Sequence, residues 1–185
     1  MGHSNILKPR NIALIIIDFQ NVFRKTISEF EDIAKRIANI ARGFKILDLP
    51  IIVTEQYPKG LGRTAGEILD ILPSNYGIIE KSAFSSCGEI KFLDELEAKN
   101  VKQVLLCGLE THICVNQSAH DLLNKGFEVH VLEDAVGSRT SANKVIGIEK
   151  MRISGTIPSC LEMALFELLG NSKHEHFKKL QSLIK

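Results

Sequence analysis

A run of six apolar residues, Ile12-Ala13-Leu14-Ile15-Ile16-Ile17, stops abruptly at Asp18. It shows no alternation of apolar and polar positions, so a strand built from it needs cover on both faces. That restricts the chain to a sheet held between layers of helices. Shorter runs repeat the pattern at Ile51-Ile52-Val53, at Val104-Leu105-Leu106-Cys107-Gly108 and at Val129-His130-Val131-Leu132, the last ending at Glu133 and Asp134. Gly77-Ile78-Ile79-Glu80-Lys81 is a weaker strand, and Gly155-Thr156-Ile157 a short sixth one.

Between these runs the apolar period changes to that of a helix. Ile33, Ile37, Ile40, Phe44 and Leu47 share one helical face, and Pro50 stops that helix. Ser85 or Ser86 is placed to cap a helix with Ile90, Leu93 and Leu96 inward. Thr111 or His112 precedes a helix that buries Val115, Ala119 and Leu122 and closes at Gly126. A further helix is expected over 141–153, and Ser159 is placed to cap one carrying Leu161, Leu165 and Leu168. The tail from Lys173 sets Phe177, Leu180 and Ile184 on one side. This alternation predicts a single α/β domain over residues 1–185: a doubly wound, six-stranded, mostly parallel sheet with helices on both faces.

Charge removes several functional classes. Lys plus Arg is 23 and Asp plus Glu is 22, a formal net charge of +1, so a polybasic nucleic-acid or membrane-surface protein is not expected. No apolar run approaches the roughly 18 residues of a membrane span. Residues 1–10 contain no apolar leader core, and Cys87, Cys107, Cys114 and Cys160 show no C-x-x-C spacing. The expectation is a chain of the reducing cytoplasm.

In doubly wound sheets ligands bind beyond the carboxyl ends of the strands. Asp18 closes the first strand, Lys81 closes the third, and Cys114 lies in the first turn after the fourth. Singly, each has a plain structural explanation: a turn residue, a solvated lysine, a small buried thiol. Together they make a chemical set. A helix N-terminus and a nearby ammonium lower a thiol's pKa, a carboxylate can carry its proton, and the first-turn amides can hold an oxyanion. The set points to acyl transfer through a thioester. Other reactive residues fit structural roles better. Cys107 reads as core, His120 as a helix-surface or interface residue, and His174 and His176 as a solvated helix end. Glu133, Asp134 and Arg139 read as a salt-bridged loop. Gly60-x-Gly62 does not follow the first strand, so it is no dinucleotide fingerprint.

The motifs Ile15-Ile16-Ile17-Asp18-Phe19-Gln20-Asn21, Glu80-Lys81-Ser82-Ala83-Phe84 and Gly108-Leu109-Glu110-Thr111-His112-Ile113-Cys114-Val115 resemble the isochorismatase-like cysteine hydrolase superfamily. Leu132-Glu133-Asp134-Ala135-Val136-Gly137-Ser138-Arg139 extends the resemblance over nearly the whole chain. Gln56 to Thr64 and the tail from His176 to Gln181 are most similar to its small isochorismatase domain-containing hydrolases. The resemblance implies a catalytic Asp18–Lys81–Cys114 triad and a non-proline cis peptide at Leu109–Glu110. It also implies an oxyanion hole from the amides of Glu110 and Cys114. Phe23, Tyr57, Phe84 and His112 are the expected substrate-pocket residues. The metal-dependent members carry Asp-x-His where this chain has Thr54-Glu55-Gln56-Tyr57, and no His stands between His3 and His112, so neither metal nor other cofactor is expected. A nucleophilic Cys favours an amide, carbamoyl or related acyl substrate over the vinyl ether of isochorismate. The expected partners are a small-molecule substrate and further copies of the chain, in a dimer or larger homo-oligomer with helix faces near the C-terminal half in contact. The apolar side of the tail needs cover from a neighbouring subunit or from the domain's own flank, and the resemblance favours the neighbour. A catalytically silent binding or scaffold protein on the same fold is the competing reading.

Overall fold

The first apolar run forms β1 (Ile12–Ile17), and its side chains divide by parity. Ile12, Leu14 and Ile16 enter the core on one face of the sheet, and Ala13, Ile15 and Ile17 enter the core on the other. Each fully buried Ile or Leu contributes about 1.5–3 kcal/mol relative to exposure, so a single strand anchors both layers. The computed structural model describes residue 3 and residues 5–184. Met1, Gly2, Ser4 and Lys185, at the ends of the expected domain and its tail, lie outside the described residues.

The remaining strands are β2 (Ile51–Gln56), β3 (Ile79–Lys81), β4 (Gln103–Leu109), β5 (Glu128–Gly137) and β6 (Ile157–Ser159). The helices are α1 (Phe30–Ile46), α2 (Pro58–Leu61), α3 (Gly66–Leu69), α4 (Ile90–Ala98), α5 (Asn116–Asn124), α6 (Ser141–Ile153), α7 (Leu161–Leu169) and α8 (Phe177–Gln181). The six strands lie in the order β3-β2-β1-β4-β5-β6, and every neighbouring pair is parallel. α1, α3, α7 and α8 supply the core on the face of Leu14, and α4, α5 and α6 that on the face of Ile15. The doubly wound reading holds. The chain winds outward from β1 through β2 and β3, then returns to β4 beside β1, which puts the switch point between β1 and β4.

Gly108 governs that junction. It has φ +114° and pairs with Ile17, and a Cβ there would run into the Ile17 carbonyl. Only glycine lets the two strand ends come this close.

Several boundaries differ from the sequence reading. β2 runs past Val53 to Gln56, because Thr54, Glu55 and Gln56 pair with β3 although they are polar. β5 continues through Glu133 and Asp134, which bond to Arg152 and to the Leu161 amide respectively. Its register against β4 slips between Leu106 and Gly108. β6 starts two residues later than expected. Ser85 caps a short 3₁₀ turn, Ser86–Gly88, by accepting from the Cys87 amide, and does not cap α4. Within α4, Phe92 and Leu96 face the core and Ile90 is exposed. Cys160, not Ser159, is the N-cap residue of α7, whose Leu161 amide is satisfied by the Asp134 carboxylate. The tail needs no neighbour: Leu180 is buried, and Phe177, Leu183 and Ile184 pack on the core of their own chain.

Candidate active site

Asp18 leaves β1 in the left-handed region, with φ 48°, which turns its carboxylate back over the strand ends. Its amide donates to the Thr54 carbonyl, and the Thr54 hydroxyl donates to Oδ1 at 2.7 Å. Lys81 Nζ lies 2.6 Å from Oδ2, with the two side chains 0% and 1% exposed. The same ammonium donates to Gln56 Oε1 at 2.6 Å, to the Phe84 carbonyl at 2.9 Å and to the Ala83 carbonyl at 3.1 Å. Lysine has three protons to give, and these three oxygens take them, so Asp18 Oδ2 is held by the charge and receives no hydrogen bond.

Cys114 sits in a π turn, Thr111–Val115, that links β4 to α5. The Leu109–Glu110 peptide immediately before this turn is cis. α6 lies against the turn at Gly147, where the nearest backbone atom to a would-be Cβ is the His112 Cα at 3.0 Å. Cys114 is 6% exposed, and its thiol feels the charges of both Asp18 and Lys81. The three expected side chains are therefore brought together at the switch point.

The electrostatics differ from the sequence expectation of a depressed thiol pKa. Burial pushes Cys114 up to about 12, the neighbouring Asp18 adds to the rise, and Lys81 only partly opposes it. Burial raises the Asp18 carboxyl as well, against the pull of Lys81 and the Thr54 hydrogen bond. One ammonium balances one of the two acids, so thiol and carboxyl retain a proton between them at neutral pH.

A cavity of about 200 Å³ opens over the thiol, lined by Asp18, Phe23, Gln56, Leu61, Phe84, Leu109, Glu110, Ile113, Cys114 and Arg139. Phe23 and Phe84 thus line the pocket as expected. Tyr57 and His112 do not. Tyr57, in the left-handed region at φ 38°, is turned outward and 57% exposed. The His112 ring is drawn off to Ser138 Oγ, 2.9 Å from Nδ1. Glu110 is buried and accepts from the Arg139 amide, from Nε and from Nη2, the last at 2.6 Å. Burial works to raise its carboxyl, but these bonds prevail and hold it below the usual range. Arg139 therefore belongs to the pocket wall, whereas Glu133 and Asp134 make the ion pairs expected of them, with Arg152 and Arg36. Cys107 is buried core, its thiol donating to the Ile15 carbonyl at 3.5 Å. His120 bridges the Asn116 carbonyl and Ser154 Oγ.

Thr54 and Gln56 are the site residues that the sequence reading missed. Gln56 donates to the Ser82 carbonyl, which turns its amide oxygen toward Lys81 and to within 4.0 Å of Cys114 Sγ. Buried Gln20 fixes the Gln56 backbone in both directions, donating to its carbonyl and accepting from its amide. The sequence signal was available: three consecutive polar residues directly after an apolar strand, at the carboxyl edge. Glu55 accepts from the Thr64 amide and hydroxyl at 2.6 and 2.7 Å. Among the described residues, no three His, Cys, Asp or Glu side chains converge as a metal set would.

With fold and site in view, the comparisons are informative. The isochorismatase domain pattern matches residues 12–163. Isochorismatase family protein 1A of Dictyostelium discoideum is 38% identical over 181 residues, covering 96% of this chain and 87% of that protein. A solved structure described as the MAR1 ribonuclease of Caenorhabditis elegans superposes with a TM-score of 0.92 at 38% identity, covering 97% and 92% of the two chains. The Escherichia coli YcaC protein, described as an octameric hydrolase of unknown specificity, shares the fold with a TM-score of 0.87 at 18% identity, over 100% and 97% of the two chains. The chain belongs to the isochorismatase family and has the α/β fold of its hydrolases. Among the described residues, no helix is long and apolar enough to cross a membrane.

Proposed function

We propose that this chain is a cysteine hydrolase that cleaves a small amide, carbamoyl or related acyl substrate, with Asp18, Lys81 and Cys114 as its catalytic triad. The observation that carries the reading is the enclosed Lys81–Asp18 ion pair beside the Cys114 thiol, with Asp18 and Cys114 both lining one cavity. Buried charge of this kind is costly to maintain, and clusters of perturbed acids in a cleft mark sites of proton transfer.

In the proposed reaction the Cys114 sulfur attacks the acyl carbon while its proton passes to Asp18. A C–S bond forms and the carbonyl π pair moves to oxygen, where the amides of Glu110 and Cys114 hold it, each worth about 3–4 kcal/mol in well-studied hydrolases. Asp18 then protonates the leaving nitrogen as the C–N bond breaks. Water adds to the thioester, giving its proton to Asp18, and the acid leaves as the proton returns to sulfur. Because the resting thiol is neutral, the transfer to Asp18 accompanies attack and does not precede it. No step in this scheme draws on a metal: where metal-dependent relatives carry Asp-x-His, this chain has Thr54, Glu55 and Gln56, of which Thr54 and Gln56 bind Asp18 and Lys81 and Glu55 Oε1 holds Thr64.

The test is mass spectrometry of protein quenched during turnover of an accepted amide. An acyl adduct on Cys114 is expected, and full activity in Cys114→Ala would overturn the reading. The ribonuclease description of the worm protein does not fit this pocket as well. A phosphodiester needs unspent cations, and here Lys81 and Arg139 are both engaged with carboxylates.

We also propose a homo-oligomer, but through α6 instead of the tail. Val145 and Ile146 are 61% exposed and Ile153 is 80% exposed. Glu149 and Lys150 share a shallow groove with Ile146 and Ile153. A twofold pairing of this face lets the glutamate of each copy meet the lysine of the other. Light scattering should give a dimer or larger species that Ile146→Asp dissociates. A monomeric wild-type chain at micromolar concentration would end this proposal.

A further inference from the structure

The charges around the pocket cancel, and that bears on what the pocket accepts. Three ionisable side chains besides Cys114 line it, Asp18, Glu110 and Arg139, and Lys81 is ion-paired with Asp18 just outside the lining. Lys81 is enclosed, gives its protons to Gln56, Ala83 and Phe84, and is ion-paired with Asp18. Arg139 directs its amide, Nε and Nη2 at Glu110, and its guanidinium lies at the rim with the side chain 58% exposed. The rest of the wall is apolar: Phe23, Leu61, Phe84, Leu109 and Ile113. A third carboxylate, brought here by a substrate, would be stripped of water beside two buried carboxylates, with no unspent cation inside the cavity to receive it. Such a burial costs several kcal/mol. The volume of about 200 Å³ is small. It corresponds to roughly seven waters at about 30 Å³ each.

We propose that the acyl group taken by this pocket is electrically neutral and apolar, a short branched or aromatic chain, and that amides bearing a carboxylate on the acyl side are rejected. This rests on the hydrolase reading for turnover, but the selectivity belongs to the cavity and can be measured without it. It separates this chain from any hydrolase that anchors its substrate through an anionic group.

Isovaleramide and malonamate form a matched probe pair, with the same number of non-hydrogen atoms and an isopropyl group in one where the other has a carboxylate. Binding of each to Cys114→Ala is followed by saturation-transfer NMR, and turnover of each by wild type through ammonia release. The expected result is that isovaleramide alone binds, and that its kcat/KM exceeds that of malonamate by about 100-fold or more. Leu61→Arg, which adds an unpaired cation to the wall, should move this ratio at least tenfold toward malonamate. Malonamate binding as tightly as isovaleramide, or neither compound binding up to its solubility, overturns the inference. Isovaleramide that binds to Cys114→Ala but is not hydrolysed by wild type upholds the selectivity and defeats the hydrolase reading instead.

Discussion

Two ion pairs flank the thiol, both closing at 2.6 Å, and they serve the molecule differently. Lys81–Asp18 is sealed from solvent at both ends, whereas Arg139–Glu110 buries only its carboxylate. In the sealed pair burial prevails over the ammonium, and the Asp18 carboxyl is raised. In the rim pair the bonds from arginine prevail over burial, and the Glu110 carboxyl is lowered. Equal distances therefore give opposite protonation behaviour. In the proposed reaction the sealed pair is the one that keeps a carboxyl ready to accept and return a proton. The rim pair keeps its carboxylate ionised and ties the turn carrying Cys114 to the loop after β5.

The sharpest way to break the contrast is Lys81→Met. It leaves Asp18 buried without its countercharge, a change that typically costs about 3–5 kcal/mol. Chemical denaturation should show that loss, and amide turnover should disappear with it. Asp18→Asn should leave substrate binding nearly intact while kcat falls by about 10²–10⁴, the range for an acid–base group. In wild type the acid limb of the pH profile should lie above the ordinary carboxylate range, since the Asp18 carboxyl is raised, and the Asn variant should lose that limb.

A smaller effect is expected at the rim. Arg139→Met leaves Glu110 with fewer donors, a loss of about 1–3 kcal/mol. Because the folded Glu110 carboxyl lies below its unfolded value, the stability it adds is complete above that unfolded value and vanishes as pH falls through the folded one. Denaturation of wild type and variant should thus differ most at neutral pH and converge in acid.

A further change, with no effect on activity expected, tests burial with no ion pair at all. His130, in β5 and 1% exposed, is pushed down from 6.5 to about 4, by burial first and also by Lys8, with Glu128 opposing. The unfolded chain takes up this proton near 6.5 and the folded chain only near 4, so stability falls with pH across that window, by up to about 3 kcal/mol. His130→Leu should flatten this part of the pH–stability curve and leave activity at neutral pH unchanged.

The residues that were legible in the sequence are those whose role shows in local pattern. Ile12–Ile17 announces a two-faced strand through composition alone, and Asp18, Lys81 and Cys114 stand out once the residues just beyond each strand's carboxyl end are inspected. Thr54 and Gln56 were hidden because apolar periodicity ends at Val53 while the strand continues, held by its pairing with β3. Phe92 outcompetes Ile90 for the core because Ile90 opens its helix and lies on the outer side. The cover of the tail depends on where α1 and α7 leave room, which no local window contains. The direction of the thiol pKa is not legible for a related reason: a helix terminus and a lysine are visible in sequence, and the depth at which they are buried is not.

Gly108 has a further consequence for how a protein like this one can diversify. Asp18 follows β1 and Cys114 follows β4, and the spacing of those strands at this level is gauged by bare main chain, Gly108 against the Ile17 carbonyl. Cys114 and Asp18, the proposed nucleophile and proton carrier, are thus held like two jaws on one bed. Phe23, Leu61 and Phe84, which shape the cavity, come from three connections that take no part in that bed. Selection can rework those connections for a new substrate while the jaws keep their setting. Replacing Gly108 alone would throw both out of alignment.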